Sequence, residues 1–550
     1  METTMTHRVS RTRFLRAASL VLTLSFAGCA PPGAHRTTLS VIPNPLSAKV
    51  SEGPAFDASL PLRITYSDGD SAAAAAGRVL SDLIGNTRAT MPHVEPANPD
   101  STSRSIAFRR AANDQTIGSE GYRIAVSEST ITVDAAGPAG FFYAVQTLRQ
   151  LMPPLVEHEA AYVKPLPIPQ VTIEDRPTFE WRGLMLDVAR HFLPATDVKR
   201  FIDLMALYKM NRLHLHLSDD QGWRIEIPSR PRLTEHGSQS QVGGKGGGFY
   251  TVSEYEDIVR YAADRFIVVV PEIDMPGHTN SALASYPELN CDGQKRELYE
   301  GTNVGFSSVC PSKEETFVFI DDVIGDIAAI TPGPYFHVGG DEVQTLTESE
   351  YIQFIERVQR IVERHGKRLV GWDEVSFANL DSGSRVQLWR PLWPASGDDA
   401  ALDSSRAAAA AALKRRVERS AANGVEFILS PADRIYLDMK YHSSTVIGLS
   451  WAGISNVRTS YDWNPDDIFG QIPRKAIAGV EGTLWSESFA TVHDFEYMAF
   501  PRLAGVAELG WSDPERRDWP SYRGRLSKHA ARWQALGVNY YRSPLVDWDD

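Results

Sequence analysis

Arg182-Gly183-Leu184-Met185-Leu186-Asp187-Val188 leads into a helix-spaced segment, Ala195–Tyr208, and then into Arg212-Leu213-His214-Leu215-His216-Leu217-Ser218. Two short apolar runs joined by a helical segment read as a βαβ unit with parallel strands. The pattern repeats down the chain. Further strands are predicted at Ile267–Ile273, Tyr335–Val338, Arg368–Gly371, Val386–Trp389, Glu426–Leu429 and Gly479–Leu484. Helices are predicted at Tyr255–Phe266, with Ser253 and Glu256 spaced as a capping box, and at Glu314–Ile330, Glu348–Gly366 and Ala407–Asn423. Eight strand–helix units in about 330 residues predict an α/β chain whose larger domain, residues 173–550, is a closed (β/α)8 TIM barrel. A doubly wound open sheet would carry a Gly-rich phosphate turn after its first strand, and none follows Val188. Gly243–Gly248 lacks the Gly-Lys-Ser/Thr ending of a phosphate loop and reads as a flexible loop over the barrel mouth.

Residues 41–172 predict a smaller α+β domain ahead of the barrel. Its strands are Ser103–Arg110 and a hairpin of Tyr122–Ser127 with Thr130–Asp134; its helices are Ser71–Ile84 and Ala139–Met152. Residues 29–40 read as a linker. Before them, Arg8, Arg11, Arg13 and Arg16 precede the apolar run Ala17–Ala27, so residues 1–28 read as a secretory signal too short to span a bilayer. Cys29 directly after Ala27-Gly28 is similar to a bacterial lipobox, in which that Cys is lipidated. The expectation is an exported protein of the periplasm or cell envelope, held to a membrane only through a lipid anchor. Its two remaining cysteines, Cys291 and Cys310, then predict a disulfide.

The 550 residues are 43% hydrophobic and 23% charged, with Gly 40 and Pro 34, an ordinary globular composition. The net charge of −13 becomes −16 once residues 1–28, with four Arg and one Glu, are removed. Such a balance argues against a nucleic-acid partner.

Chemistry is expected at the carboxyl ends of barrel strands, and there the chain is loaded. The ends carry Asp187; Ser218-Asp219-Asp220-Gln221-Gly222-Trp223; Glu272-Ile273-Asp274-Met275-Pro276-Gly277-His278; His337-Val338-Gly339-Gly340-Asp341-Glu342; Trp372-Asp373-Glu374; Trp389; Tyr436-Leu437-Asp438; and Trp485-Ser486-Glu487. Carboxylates and indoles around one mouth suit a sugar, whose apolar ring faces stack on indoles while its hydroxyls bond to acids and Arg. A metal cluster of His214, His216, Asp219 and Asp220 is the competing reading. Alternation places Asp219 opposite to both histidines, and the spacing matches no zinc motif. Neither metal nor cofactor is expected.

His337-Val338-Gly339-Gly340-Asp341-Glu342 resembles the signature of glycoside hydrolase family 20, the β-N-acetylhexosaminidases. The segments at Trp181-Arg182-Gly183, His214–Trp223, Met275–His278, Gly371–Glu374, Tyr436–Asp438, Ser450-Trp451-Ala452-Gly453 and Trp485–Glu487 are similar to family segments in order. Ala139–Tyr143 and Gln146–Leu148 are similar to its N-terminal α+β domain. The resemblance implies an exo-acting retaining hydrolase of terminal β-linked N-acetylglucosamine or N-acetylgalactosamine, on oligosaccharides or glycoconjugates. The substrate's 2-acetamido oxygen would attack the anomeric carbon to give an oxazolinium ion. It further implies that Glu342 is the acid and base, Asp341 the stabiliser of the acetamido group, and Tyr436 the donor to its carbonyl. Trp372, Trp389 and Trp451 would enclose the acetyl methyl, and Trp485 would lie under the ring. Arg182, Asp219, Asp438 and Glu487 would bind hydroxyls, with Asp219 preferred over Asp220, and His278 would orient an acid. Two adjacent strand residues face opposite ways, so Asp341 and Glu342 can serve one sugar only if the backbone bends at Gly339-Gly340 or the strand has ended. Two other classes compete. A sugar-binding protein without turnover would need no adjacent acid pair, and a metal-dependent deacetylase would be sensitive to a chelator.

Overall fold

Eight parallel strands close on themselves in the computed structural model, which describes residues 39–549 except 89–90, 99–102, 113, 115, 161–164, 245, 392–403 and 468–471. They are β1 (Trp181–Asp187), β2 (Arg212–His216), β3 (Val268–Glu272), β4 (Tyr335–His337), β5 (Arg368–Trp372), β6 (Arg385–Leu388), β7 (Glu426–Leu429) and β8 (Ile477–Leu484). Each pairs with the next, and β8 returns to β1 in the register Trp181↔Gly479 to Leu186↔Leu484. Every residue of β1 and β8 is buried, as expected where helices cover one face of a parallel sheet and packed side chains fill the other. The predicted Cys291–Cys310 disulfide is formed.

The predicted helices fall where the apolar spacing put them: those beginning at Ser71, Ala195, Glu314 and Glu348 start as predicted, and the others start one to three residues earlier. The helix before β3 is Val252–Ala263, and its cap is Thr251, not Ser253. Thr251 has the extended backbone a cap requires; its hydroxyl accepts the Glu254 N–H and Glu254 accepts the Thr251 N–H. The predicted box of Ser253 and Glu256 therefore lies two residues late, already inside the helix. The same reciprocal device opens Glu348–Arg364 at Thr347. The glycine run is fastened rather than free: Gly243 N–H donates to Glu300 O at 2.9 Å and Gly248 N–H to Ser238 O at 3.0 Å.

Ahead of the barrel stands a seven-stranded sheet in the spatial order Ser47–Val50, Val171–Asp175, Tyr122–Val126, Thr130–Ala135, Ser105–Arg110, Arg63–Tyr66, His93–Pro96. The predicted hairpin is present, from Tyr122↔Ala135 to Val126↔Ile131. Helices Ser71–Arg88 and Pro138–Leu151 belong to the same domain.

Arg182 corrects an expectation. It sits at the amino end of β1, five residues before Asp187 and so about 17 Å from the mouth at ~3.3 Å per residue. Its guanidinium is buried and forks onto Glu120 at 2.7 and 3.1 Å, bonds Phe179 O at 2.8 Å and Lys209 O at 2.9 Å, and lies over Trp511. Arg182 is a clamp between the α+β domain and the barrel floor, not a sugar ligand. Beside it, buried Lys209 reaches Tyr122 Oη at 2.7 Å and Asp175 Oδ2 at 2.9 Å, tying the same two domains. The predicted signal at 1–28, Cys29, most of the linker, and much of the connection after Trp389 lie outside the described residues.

Candidate active site

β4 stops at His337, and the backbone then turns tightly. Gly339 and Gly340 have φ of 64° and 97°, and Glu342 itself has φ 54°. A Cβ at Gly339 would stand 1.8 Å from Asp274 Oδ1, so only glycine fits. Asp274 Oδ1 accepts the Gly340 N–H at 3.0 Å, and Tyr351 Oη donates to Gly340 O at 2.7 Å. These contacts hold Glu342 in a left-handed conformation that costs about 1–3 kcal/mol for a non-glycine residue. The turn removes the strand alternation that would have sent Asp341 and Glu342 to opposite faces. Each presents a carboxylate oxygen within 4.8 Å of the other and of a His278 ring nitrogen.

His278 also has a left-handed backbone, φ 52°, on the loop after β3. Its Nε2 lies 3.4 Å from Glu342 Oε2 and 3.7 Å from Asp341 Oδ2, and its Nδ1 lies 3.2 Å from Asp219 Oδ1. Burial disfavours the imidazolium, yet Asp219 and Asp341 raise its pKa well above the ordinary value. At Asp341 burial is the largest influence. Opposed by His278 and reinforced by Glu374 and Glu342, it pushes that carboxyl up to about 7.

Asp219 departs from its expected place against a hydroxyl. Its oxygens are taken by Arg190 Nη2 at 2.6 Å, His216 Nε2 at 2.9 Å, His278 Nδ1 and the Asp220 N–H at 2.5 Å. Burial works against its charge, but Arg190 and His278 hold it well below the ordinary range. It belongs to a line of polar contacts, Arg190–Asp219–His278–Glu342. Asp220 is anchored by the Asn280 N–H and Ser307 Oγ. The chain after β2 leaves the sheet into a hairpin of Ser218–Asp219 with Gly222–Trp223, so strand parity does not decide which of the two faces the mouth.

The opposite wall is aromatic. Trp485 lies 5.5 Å from Trp372 and 6.2 Å from Tyr436; Tyr436 stacks on Trp389 at 6.4 Å and meets Trp451 edge-on at 5.9 Å. Trp372 is fully buried and donates its indole N–H to Glu272 at 2.9 Å, whereas Trp451 is 52% exposed at the rim. Burial, with Asp341 and Asp438 nearby, raises the Tyr436 hydroxyl well above its ordinary pKa and keeps it a donor. Arg190 lies with its Cζ 4.9 Å from the Trp485 ring centre. Glu487 acts on it electrostatically, as Asp219 and Asp187 do more strongly, and together they keep it charged against burial.

Among the described residues, several buried polar atoms of this wall have no hydrogen-bond partner: Asp341 Oδ1, both Asp438 oxygens, Glu487 Oε2 and Trp485 Nε1. Unpaired buried polar atoms are costly, and here they gather where sugar hydroxyls and an amide N–H would satisfy them. Burial, then Glu487, pushes the Asp438 carboxyl well up.

Beneath lies a second polar layer. Glu272 accepts from His216 Nδ1 at 2.5 Å and Trp372 Nε1 and pairs with His214 Nε2 at 2.9 Å; His214 Nδ1 donates to Glu481 at 2.8 Å. The trios His214–Glu272–His337, His216–Glu272–Asp274, Asp219–Asp274–His278 and His278–Asp341–Glu342 each bring donor atoms within 4.8 Å, the spacing a cation would need. In the first three an imidazole already pairs with a carboxylate: His214 and His337 with Glu272, His216 with Glu272, and His278 with Asp219. Asp373 and Glu374 pair with Arg390 at 3.0 and 2.8 Å, and Trp389 Nε1 donates to Glu374 at 3.1 Å.

The structure thus brings together Asp341, Glu342, His278, Tyr436, Asp438, Trp372, Trp389, Trp451, Trp485 and Glu487, keeps Asp219 behind Arg190 and His278, and sends Arg182 elsewhere. Arg190 was not anticipated. Its signal was its position three residues past Asp187, at the carboxyl end of β1.

A barrel mouth that pairs an acid dyad with an indole-lined wall of unsatisfied carboxyls defines a glycoside hydrolase. The chain matches glycosyl hydrolase family 20, catalytic domain, over residues 179–514 and domain 2 of the same family over residues 38–176. It is 39% identical to a β-N-acetylhexosaminidase of Cellulomonas fimi over 93% of this chain and 97% of that one. Among solved structures, the Streptomyces plicatus N-acetyl-β-hexosaminidase in complex with Thio-NAglucal shares 46% identity at a TM-score of 0.86, covering 94% and 99% of the two chains. The Streptomyces coelicolor β-N-acetylhexosaminidase shares 45% at 0.85, covering 93% and 99%. The chain belongs to glycosyl hydrolase family 20.

Proposed function

We propose that the chain removes terminal, non-reducing β-linked N-acetylglucosamine or N-acetylgalactosamine with retention, the substrate's own acetamido oxygen acting as nucleophile. The observation that carries this is Asp341 Oδ1. It is buried and unpartnered next to the acid-bearing Glu342 and across from the Tyr436 hydroxyl, where an amide N–H and C=O would be held between them. The activity named for the relatives supports the same reading.

In the first step the acetamido oxygen forms a bond to C1 as the glycosidic C–O bond breaks. Glu342 gives its proton to the departing oxygen, and His278, charged and 3.4 Å away, stabilises the carboxylate left behind. Asp341 accepts the acetamido N–H and faces the positive charge that develops on the forming ring, while the Tyr436 hydroxyl fixes the carbonyl oxygen. Both act only through preorganisation. In the second step Glu342 takes a proton from water, whose oxygen attacks C1 from the vacated side and reopens the oxazolinium ion. Two displacements on the same carbon restore the starting configuration. Trp372, Trp389 and Trp451 wall the acetyl methyl, Trp485 lies under the ring, and Asp438, Glu487 and Arg190 take hydroxyls.

Glu342→Gln tests this directly. On chitobiose, kcat should fall by about 10²–10⁴, while formation of the intermediate from a dinitrophenyl glycoside, which needs no proton, should be largely kept. Unchanged turnover of chitobiose would remove Glu342 from the acid role. We further infer that residues 1–28 are an export signal and Cys29 a lipid attachment point; the disulfide, a bond of oxidising compartments, supports the export part of this reading.

A further inference from the structure

We propose that Tyr299 and Phe306 form the binding site for the leaving-group sugar, the second ring of a β-linked oligosaccharide. This rests on the reading of Glu342 as the acid, because the departing oxygen must lie beside that carboxyl and the next ring must pass outward over whatever flanks it.

The flank is the disulfide-closed loop Cys291–Cys310. A Cβ built on Gly277 would stand 3.3 Å from the carbonyl oxygen of Asp341 and 3.8 Å from that of Ser307, so the residues preceding Glu342 and following Phe306 converge on one point. A Cβ on Gly305 would meet Gln344 Nε2 at 2.6 Å, and Thr345 Oγ1 donates to Ser308 Oγ at 2.7 Å. The loop carrying the two aromatics is thus packed along the chain that carries the acid.

It is also held rigid from below. Ser307 Oγ donates to Asp220 and accepts the Thr279 N–H at 3.0 Å; the Val309 N–H donates to Pro276 O at 3.0 Å; Gln221 Nε2 donates to Gly301 O at 2.8 Å. On this frame Tyr299 and Phe306 meet at a ring separation of 4.7 Å, and the Tyr299 hydroxyl accepts the Asn303 N–H at 2.8 Å. Phe306 is nevertheless 44% exposed and Val304 38% exposed. Phe306 thus stands exposed on a segment whose neighbours Gly305, Ser307 and Val309 are buried, beside the path of the departing oxygen, and an apolar pyranose face is what the adjoining chemistry delivers there. The unassigned role of Asp220 is explained as well: its carboxylate anchors the loop.

The test compares two substrates. Chitotriose places a sugar on the loop; β-N-acetylglucosaminyl azide has a small leaving group that ends short of it. For Phe306→Ala the expected result is a fall in kcat/KM of about tenfold on chitotriose, carried by KM, with the azide unchanged. Phe306→Trp should restore the chitotriose value. An equal loss on both substrates, or no loss on chitotriose, overturns the proposal. If the wild-type chain turns over neither substrate, it is the parent reading that fails.

Discussion

Asp341→Asn should stabilise the protein at alkaline pH while disabling it. The native state holds the Asp341 proton up to about pH 7, whereas an unfolded chain releases it near ~3.9. Between those values the native state binds more protons than the unfolded one, so this residue makes stability fall as pH rises through the interval and lowers it fully above about pH 7. Three pH units at 1.36 kcal/mol each set the cost at about 4 kcal/mol, an upper value because neighbouring Glu342 and Glu374 share the same field. Asparagine fills the same volume and carries no charge at any pH, so the penalty vanishes. For a chain of this size 1 kcal/mol corresponds to about 1 °C in Tm. The variant should therefore melt within a degree of wild type at pH 4.5 and up to about 4 °C higher at pH 8. At pH 8, where Asp341 is ionised, its kcat on an aryl N-acetylglucosaminide should drop by about 10²–10³ with the loss of the charge facing the oxazolinium ion. Scanning calorimetry of both proteins across pH, at one scan rate, reads the difference. A Tm gap that stays flat with pH, or a variant less stable at pH 8, would refute the burial argument.

Arg182 and Arg190 should fail in different ways. Arg182→Ala, which takes from Glu120 its ion pair at the domain joint and leaves only the hydrogen bonds from Tyr143 and Asn211, should cost about 3 kcal/mol of stability and leave kcat/KM of the folded protein near wild type. Arg190→Lys, which keeps charge but loses the planar fork, should cut kcat/KM by tenfold or more with little change in Tm. Tyr436→Phe should lower kcat by about 10² on N-acetyl substrates, read by steady-state kinetics; a loss confined to KM would mean that the hydroxyl serves binding alone. Cys29→Ser should move the protein from the membrane fraction to the soluble fraction of its host and abolish labelling by a fatty-acid analogue.

The barrel was legible because a buried parallel strand is a short apolar run, and Leu184–Leu186, Val268–Val270 and Phe427–Leu429 announce themselves that way. The acid dyad was legible through the resemblance of His337–Glu342 to a family signature, and Gly339-Gly340 supplied the physical condition, a turn where two consecutive carboxylates can meet one ligand. The Arg182 misassignment shows where such reading ends. Arg182 was assigned by resemblance and nothing in residue type tells it from Arg190; the direction of β1, which puts Arg182 at the floor and Arg190 at the mouth, was the signal that the resemblance overrode. Asp219 misled for a related reason. Its hydroxyl role came from the resemblance, and the parity that set it apart from His214 and His216 assumes a continuing strand, whereas the chain has already turned into the hairpin with Gly222–Trp223 and Asp219 meets His216 at 2.9 Å. The line from Arg190 through Asp219 and His278 to Glu342 joins residues that come after four different strands, a proximity that periodicity within one segment does not carry. The α+β sheet was half legible, since its edge strands Ser47–Val50 and His93–Pro96 are short and mostly solvent-facing.

The claim that organises all of this is that the attacking atom belongs to the substrate. Fluorination of the acetyl group weakens the carbonyl oxygen as a nucleophile without changing the leaving group. Across the N-acetyl, fluoroacetyl, difluoroacetyl and trifluoroacetyl aryl glycosides, kcat/KM should fall steeply, by orders of magnitude in total. A series that runs flat would place the nucleophile on the protein and contradict the account.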